Sequence, residues 1–394
     1  MVKGTNDGAE SDRKRRRQLR TMDGTEIYER AVKLRHDIHM HPELSGCERE
    51  TKRRIAEFLE ENTSLELFDR GLWLYGVYRA KNAAKKPIAF RADFDAIKLL
   101  EDDSLPYASV NRGAAHKCGH DGHTAALAAF AAEVSEKGAD RDIYFIFQHG
   151  EEIGIGGEPA SGLLDEVEIE EIYAVHNFPG EPLGSVNTRE KTICFASVGM
   201  VMELAGLSTH ASTPELGKNP AKAISEIVLA LDDLIEKNGK AGLVLATVVQ
   251  IDVGEEAFGV SASKGRLLLT VRGEIQAEYD ALLADIRDLA DEKAKEYGLE
   301  LKIGYNDAFP ETYNHKQCVD KIKRICEEKG LEYREMKQPL RTSEDFGYYT
   351  QKIPGAMIWL GSGEQAAPLH NEKFDYPDEL IKRTAEIFWA LTEA

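Results

Sequence analysis

The stretch HKCGHDGH, His116 to His123, sets a cysteine, three histidines and an aspartate within eight residues. Cys118 and His120 are separated by a single glycine, so in an extended or turning backbone both side chains can converge on one point. A thiolate beside an imidazole suits zinc and its transition-metal neighbours, not magnesium or calcium. The run that follows, TAALAAFAAEV, is built of small helix formers, which places this cradle at a loop-to-helix junction with the helix opening at His123. A helix N-terminus there favours an anionic thiolate. The bland alternative is a buried thiol flanked by surface histidines, and the rest of the chain has to decide between them.

With 394 residues and 42% hydrophobic content, the chain can bury two moderate cores. Its formal net charge of -19 repels nucleic acid and anionic membrane surfaces, leaving small molecules as the expected substrates. No apolar run approaches the roughly 18 residues that span a bilayer. The five cysteines, Cys47, Cys118, Cys194, Cys318 and Cys326, are odd in number and irregular in spacing. That fits a reducing compartment, the cytoplasm, better than a disulfide framework. Residues 1–22 carry the basic run RKRRRQLR with no apolar segment behind it, which reads as a disordered, solvated tail and not a secretory signal.

Outward from the cradle, strand-like and helical runs alternate. A helical pattern from Gly24 ends near Pro42 and is followed by a second helix, KRRIAEFLEENT. The strands LELFDRG, LWLYGVYRA, PIAFRAD, DIYFIFQ and EIYAVHN then bracket the cradle helix, predicting an α/β sheet covered on both faces. Beyond about Ser185 the pattern changes to two long helices and the strands GLVLATVVQID and GRLLLTVRGE. The simplest account is an α+β unit, residues 185–302, inserted into a catalytic unit formed by residues 23–184 and 303–394.

Open α/β sheets place their sites beyond the carboxyl ends of the strands. Arg91, Asp93 and Asp95 follow PIAF; Gln148, His149, Gly150, Glu151 and Glu152 follow DIYFIF. Adjacent carboxylates on one turn point in different directions, so one can bind a metal while the other faces an attacking water as general base. His176 ends the strand IYAVHN, and His370 follows the loop WLGSGEQAAPLH. Cys118, His120, Glu152, His176 and His370 together supply five donors, enough for one closed site or two metals sharing a ligand.

The order RADFDA, HKCGHDGHTA, FQHGEE, AVHN, HASTPELGKNP, SEDFGYY and LHNEKF closely resembles the amidohydrolase branch of the aminoacylase and carboxypeptidase superfamily. That branch includes hippurate hydrolases, auxin-conjugate hydrolases and N-acetyl-diaminopimelate deacetylases. The resemblance runs from HPELSG at His41 to the end of the chain. It implies a two-metal, aminopeptidase-like α/β catalytic domain with an inserted lid or dimerisation domain, and two divalent ions: zinc or manganese, with cobalt or nickel as alternatives. It implies Cys118 as a bridging ligand beside His120, Glu152, His176 and His370, Glu151 as general base, and Asp95 as a residue orienting a ligand. His210, in HASTP, resembles a substrate-polarising histidine that related dimers supply from the partner, and Arg272 an arginine at the domain interface. This chain departs from the branch in having HKCGHD for HACGHD, HGEE for PAEE, a broken glycine run after the glutamates, and FGVSASKG where relatives have NVIP. Those positions bear on substrate identity and leave the ligand set intact.

The residues and the resemblance converge on hydrolysis of an N-acyl amino acid or similar small amide by a homodimer. A dipeptidase would need an ammonium or carboxylate anchor that the sequence does not identify. A catalytically retired metal-binding dimer is the remaining alternative, and the intact Glu151–Glu152 pair argues against it.

Overall fold

The computed structural model describes residues 23–102 and 104–394; the tail expected over residues 1–22 lies outside them. Helices α1 (Gly24–Met40) and α2 (Arg49–Asn62) lead into β1 (Glu66–Asp69), β2 (Leu74–Tyr78) and β3 (Ile88–Asp93). Then come α3 (His120–Lys137), β4 (Ile143–Gln148), β5 (Glu171–Phe178), β6 (Val186–Thr188) and β7 (Lys191–Cys194). The inserted part runs β8 (Ala196–Ala205), α4 (Ala221–Asn238), β9 (Val244–Val253), β10 (Lys264–Gly273), α5 (Gln276–Glu296) and β11 (Glu300–Phe309). The chain returns through β12 (Thr312–Asn314), α6 (Lys316–Lys329), β13 (Tyr333–Glu335), β14 (Gly355–Gly361) and α7 (Glu379–Glu393).

Eight strands form one mixed sheet in the order β1-β2-β4-β3-β5-β14-β6-β13. Its centre is parallel: β3 pairs with β4 and β5, and β14 with β5. These strands are near-continuous apolar runs because helices or loops cover both faces, as parallel sheets require. On one face α3 packs among α1, α2, α6 and α7. Every residue of α3 from His120 to Val134 is buried, and its alanines let the flanking helices approach closely. The other face is closed by a smaller cluster around Tyr75, Tyr144, Ile146, Leu163 and Tyr349.

The inserted strands make a separate antiparallel sheet, β11-β8-β10-β9, with α4 and α5 on one side around their own core of Met200, Met202, Ile224, Leu269 and Leu282. It spans Ala196–Phe309, later at both ends than the 185–302 suggested by sequence. The reason is local: β6 joins the large sheet beside β14, and β7 pairs with β12 to form the neck where the chain leaves and returns. β10 is paired on both sides, whereas β9 lies at the edge of this sheet. Among the described residues, no helix is long and apolar enough to cross a membrane.

Candidate metal centre

The polar groups gather where β3, β4 and β5 end. α3 begins at His120, one turn before the expected His123, and its N-cap is Gly119 at φ +105°. That left-handed backbone, with a Cβ at Gly119 only 2.1 Å from Asn177 Oδ1, makes glycine the residue that fits between Cys118 and His120. The tight corner turns the thiol and the imidazole to one side.

Cys118, His120 and His176 converge with their ligand atoms all within 4.8 Å of one another; so do Cys118, Glu152 and His370. Cys118 belongs to both groups. Sγ lies 3.5 Å from His176 Nε2, and His176 Nδ1 donates to Asn177 O at 2.8 Å, which leaves Nε2 as the ligating nitrogen. Trp359, in register with His176 on the next strand, stacks on its ring at 4.5 Å and fixes its plane. His120 Nδ1 donates to Asp95 Oδ1 at 3.0 Å, while Asp95 Oδ2 accepts from Ser45 Oγ and the backbone N–H of Glu152. Asp95 thus sets the orientation of two of the donors. His370 sits opposite, at φ +60°, its Nε2 3.5 Å from Glu152 Oε2.

Donor chemistry at this point suits a cation. His120 Nε2 and Glu152 Oε1 are both buried without a hydrogen-bond partner, 3.7 Å apart; buried polar atoms left so cost about 1–3 kcal/mol each. Burial pushes His120 down, yet Asp93, Cys118 and Asp95 together hold it well above the usual imidazole range, so the cage draws positive charge inward. Burial, with His123 beside it, keeps His176 well below that range and therefore neutral. The Cys118 thiol is pushed up, by burial first and then by Glu152, which reverses the expectation that the helix N-terminus would lower it. In this donor set it is a bound cation that would favour the thiolate.

Glu151 stands beside this cage on the turn Glu151–Ile153, and burial, Glu344, Asp345 and Glu152 raise its carboxyl well above the ordinary range. Glu344 and Asp345 are held in turn by Arg91, which is 2% exposed and also grips Asp93 and Gln148. The turn is braced by Glu48, whose Oε1 accepts from Gly150 N at 2.8 Å; burial and Asp95 push Glu48 up to about 7. His123, the second histidine of the α3 start, is engaged at both ring nitrogens by Asp93 and Asn177 and braces the corner. Sequence reasoning assigned no role to Glu48, Asp93, His123, Glu344 or Asp345. The available signals were position alone: Asp93 at the end of PIAF, His123 at the end of HKCGHDGH, and Glu344 and Asp345 in SEDFGYY.

The family model for peptidase family M20/M25/M40 matches residues 89–394, the span that holds all of these groups but Glu48 and Ser45. This chain belongs to that family. It is 29% identical to an N-acetyldiaminopimelate deacetylase of Lacticaseibacillus casei over 88% of this chain and 93% of the relative. It is 29% identical to a hippurate hydrolase of Campylobacter jejuni over 90% and 94%. Among solved structures, a putative aminohydrolase from methicillin resistant Staphylococcus aureus superposes with a TM-score of 0.85 at 26% identity, covering 93% of this chain and 96% of that one. A Bacillus subtilis structure described as a dinuclear metal binding peptidase from the M20 family shares the fold, with a TM-score of 0.78 at 24% identity and coverage of 93% and 98%.

Two sequence candidates stand away from this M20 cage. His210 is exposed on the inserted unit; its Nδ1 accepts from Ser212 N at 3.1 Å and lies 2.6 Å from Ser212 Oγ. Arg272 reaches from β10 to the catalytic unit, donating to Arg341 O at 2.8 Å and Ser343 Oγ at 3.0 Å. Half-buried, with no carboxylate partner among the described residues, it has its guanidinium lowered by burial.

Proposed function

We propose that the chain hydrolyses the amide bond of N-acyl amino acids with two divalent metal ions: Cys118, His120 and His176 would hold one, and Cys118, Glu152 and His370 the other. The observation that carries this reading is the single thiol common to two donor groups, with the buried Glu151 carboxylate beside His120 and Glu152. The names of the deacetylase and hippurate hydrolase relatives, and the dinuclear centre named for the Bacillus subtilis neighbour, support it. When bound, the ions polarise the amide carbonyl and lower the pKa of an attacking water.

The remaining work falls to the chain itself. Glu151 would take the proton from that water and deliver it to the departing amine. Arg272, a cation without a counter-ion among the described residues, holds the substrate carboxylate. His210 accepts at Nδ1 from Ser212 N, which leaves Nε2–H to donate to the developing oxyanion. It does so from a partner subunit. The association surface is the edge strand β9, where Val248, Val249 and Ile251 are exposed and the backbone has a free side on which a second copy pairs. All five cysteines are free, in keeping with a cytoplasmic enzyme.

Amine release from N-acetyl and N-benzoyl amino acids, with zinc, manganese, cobalt or nickel added, tests the reading. Activity that depends on added metal and is abolished by chelator is expected. Turnover of unblocked dipeptides alone would make the chain a dipeptidase, and a metal-loaded protein inert on both panels would make it a retired binding dimer.

A further inference from the structure

We infer that Lys117 is a positioning residue for the metal site: it straps the loop bearing His370 to the cradle bearing Cys118. The inference rests on the ligand assignment proposed above. Lys117 is the residue that sets HKCGHD apart from the HACGHD of its relatives, and it does not point into solvent. It is 1% exposed. Its Nζ forms an ion pair with Glu101 and donates to Phe374 O at 2.7 Å, while its own backbone O accepts from His370 N at 2.8 Å. One residue thereby grips the segment 370–374 at both ends, although the two segments lie some 250 positions apart in sequence.

The loop has need of such a grip. The His370 side chain is 53% exposed and its backbone is left-handed at φ +60°, a conformation that costs a non-glycine residue free energy unless its surroundings hold it. Phe374, at the far end, is fully buried, so the bond from Lys117 to its carbonyl ties the loop to a fixed point. Glu101 is itself anchored: it accepts from His39 Nε2 at 2.7 Å and from Ser109 N at 2.6 Å. A buried ammonium is costly unless it is paired and hydrogen-bonded, and Lys117 has both kinds of partner. Losing Nζ releases the Phe374 end while the protein's central sheet and the Cys118–His120–His176 group stay in place. The effect therefore falls on the group completed by His370. Partners of this kind, one step removed from the metal, are typically worth about 10- to 100-fold in metal affinity.

The test is equilibrium dialysis against zinc with metal counted by plasma spectrometry, on wild type, Lys117→Met, Lys117→Arg and Glu101→Gln, alongside circular dichroism and melting of each metal-free protein. Wild type is expected to bind two ions. Lys117→Met is expected to hold one ion at wild-type affinity and the second at least about tenfold more weakly, with the folded spectrum retained. Lys117→Arg, which keeps a donor and a charge, restores most of the second affinity. If Lys117→Met does not fold, Glu101→Gln decides: with the ammonium's anchor neutralised, the second ion should weaken selectively. Two wild-type affinities in Lys117→Met, in Glu101→Gln where Lys117→Met is not recoverable, or an equal loss at both ions, overturns the strap. Fewer than two ions on wild type overturns the two-metal reading instead, and the two failures cannot be confused.

Discussion

At the mouth of the large sheet Arg91, Asp93, Asp95, His120 and Glu151 are each at most 5% exposed, whereas on the inserted unit Val249, Ile251 and Val260 are each at least 51% exposed. One region buries charge and the other displays apolar surface, an inversion of what each would do for stability alone. Burying a charge costs several kcal/mol unless partners compensate, so the mouth is dense in them: Arg91 alone meets Asp93, Glu344 and Asp345. Its chemistry is preset in the monomer by rigid strands. The inserted unit has a complete core of its own, and what it leaves exposed becomes useful only when something docks. On the proposed function, the contrast separates a site built within one chain from a contribution that would come from a second.

The largest expected effect breaks the mouth. Glu151→Gln conserves shape and removes the base, so turnover should fall by about 10²- to 10⁴-fold. Metal content, measured by plasma spectrometry, should stay at the wild-type level because Glu151 faces the donors without completing either group. Full activity in this variant would mean that another group takes the proton, with Glu344, which clusters with Glu151, an alternative.

The two regions were unequally legible in the sequence. Strand ends and the spacing of Cys118 and His120 pointed to the mouth because strand runs are apolar until they reach it, and the switch to RAD or QHGEE is abrupt. The acids that tune Glu151 were not legible: Glu344 and Asp345 lie about 190 residues further on, and Arg91, Gln148 and Gly157 bring them to the turn only in the folded chain. Spacing likewise could not say that His123 is consumed by Asp93 and Asn177. The limits of the inserted unit were off by about ten residues because β6 and β7 carry no pattern that tells which sheet will take them.

On the inserted side, His210→Ala should lower turnover by about 100-fold, the equivalent of about 3 kcal/mol for one aligned oxyanion donor, without changing metal content or the folded spectrum. Mixing it with Glu151→Gln sharpens the comparison. In a mixed dimer one of the two sites regains both groups, so after full subunit exchange of equal amounts activity should return to about a quarter of wild type. Verified mixed dimers with no recovery would place His210 in its own chain's site or outside catalysis. Val249→Lys, which sets a charge on the β9 edge, should shift the sedimentation profile toward monomer and lower activity in parallel.

The smallest effect concerns stability and belongs to the mouth. His39 is buried between Asp121 and Glu101, with Nδ1 2.8 Å from the first and Nε2 2.7 Å from the second. Burial pushes its pKa down, but the two carboxylates outweigh burial and hold it up at about 9, against 6.5 for the free side chain. Between those values the folded chain binds a proton that the unfolded chain has released. The stabilisation from this group is therefore complete below about pH 6.5 and is lost as pH rises toward 9, with a slope of at most about 1.4 kcal/mol per pH unit. Urea unfolding at pH 6.5, 7.5 and 9, in excess chelator so that metal release adds no slope of its own, should show wild type losing stability across the window. His39→Gln keeps a hydrogen-bonding side chain and cannot titrate; it should be less stable than wild type at pH 6.5 and approach it at pH 9. Parallel curves for the two proteins would mean that His39 is neutral in the folded state, and that the buried charge of Asp121 is balanced by Arg35 alone.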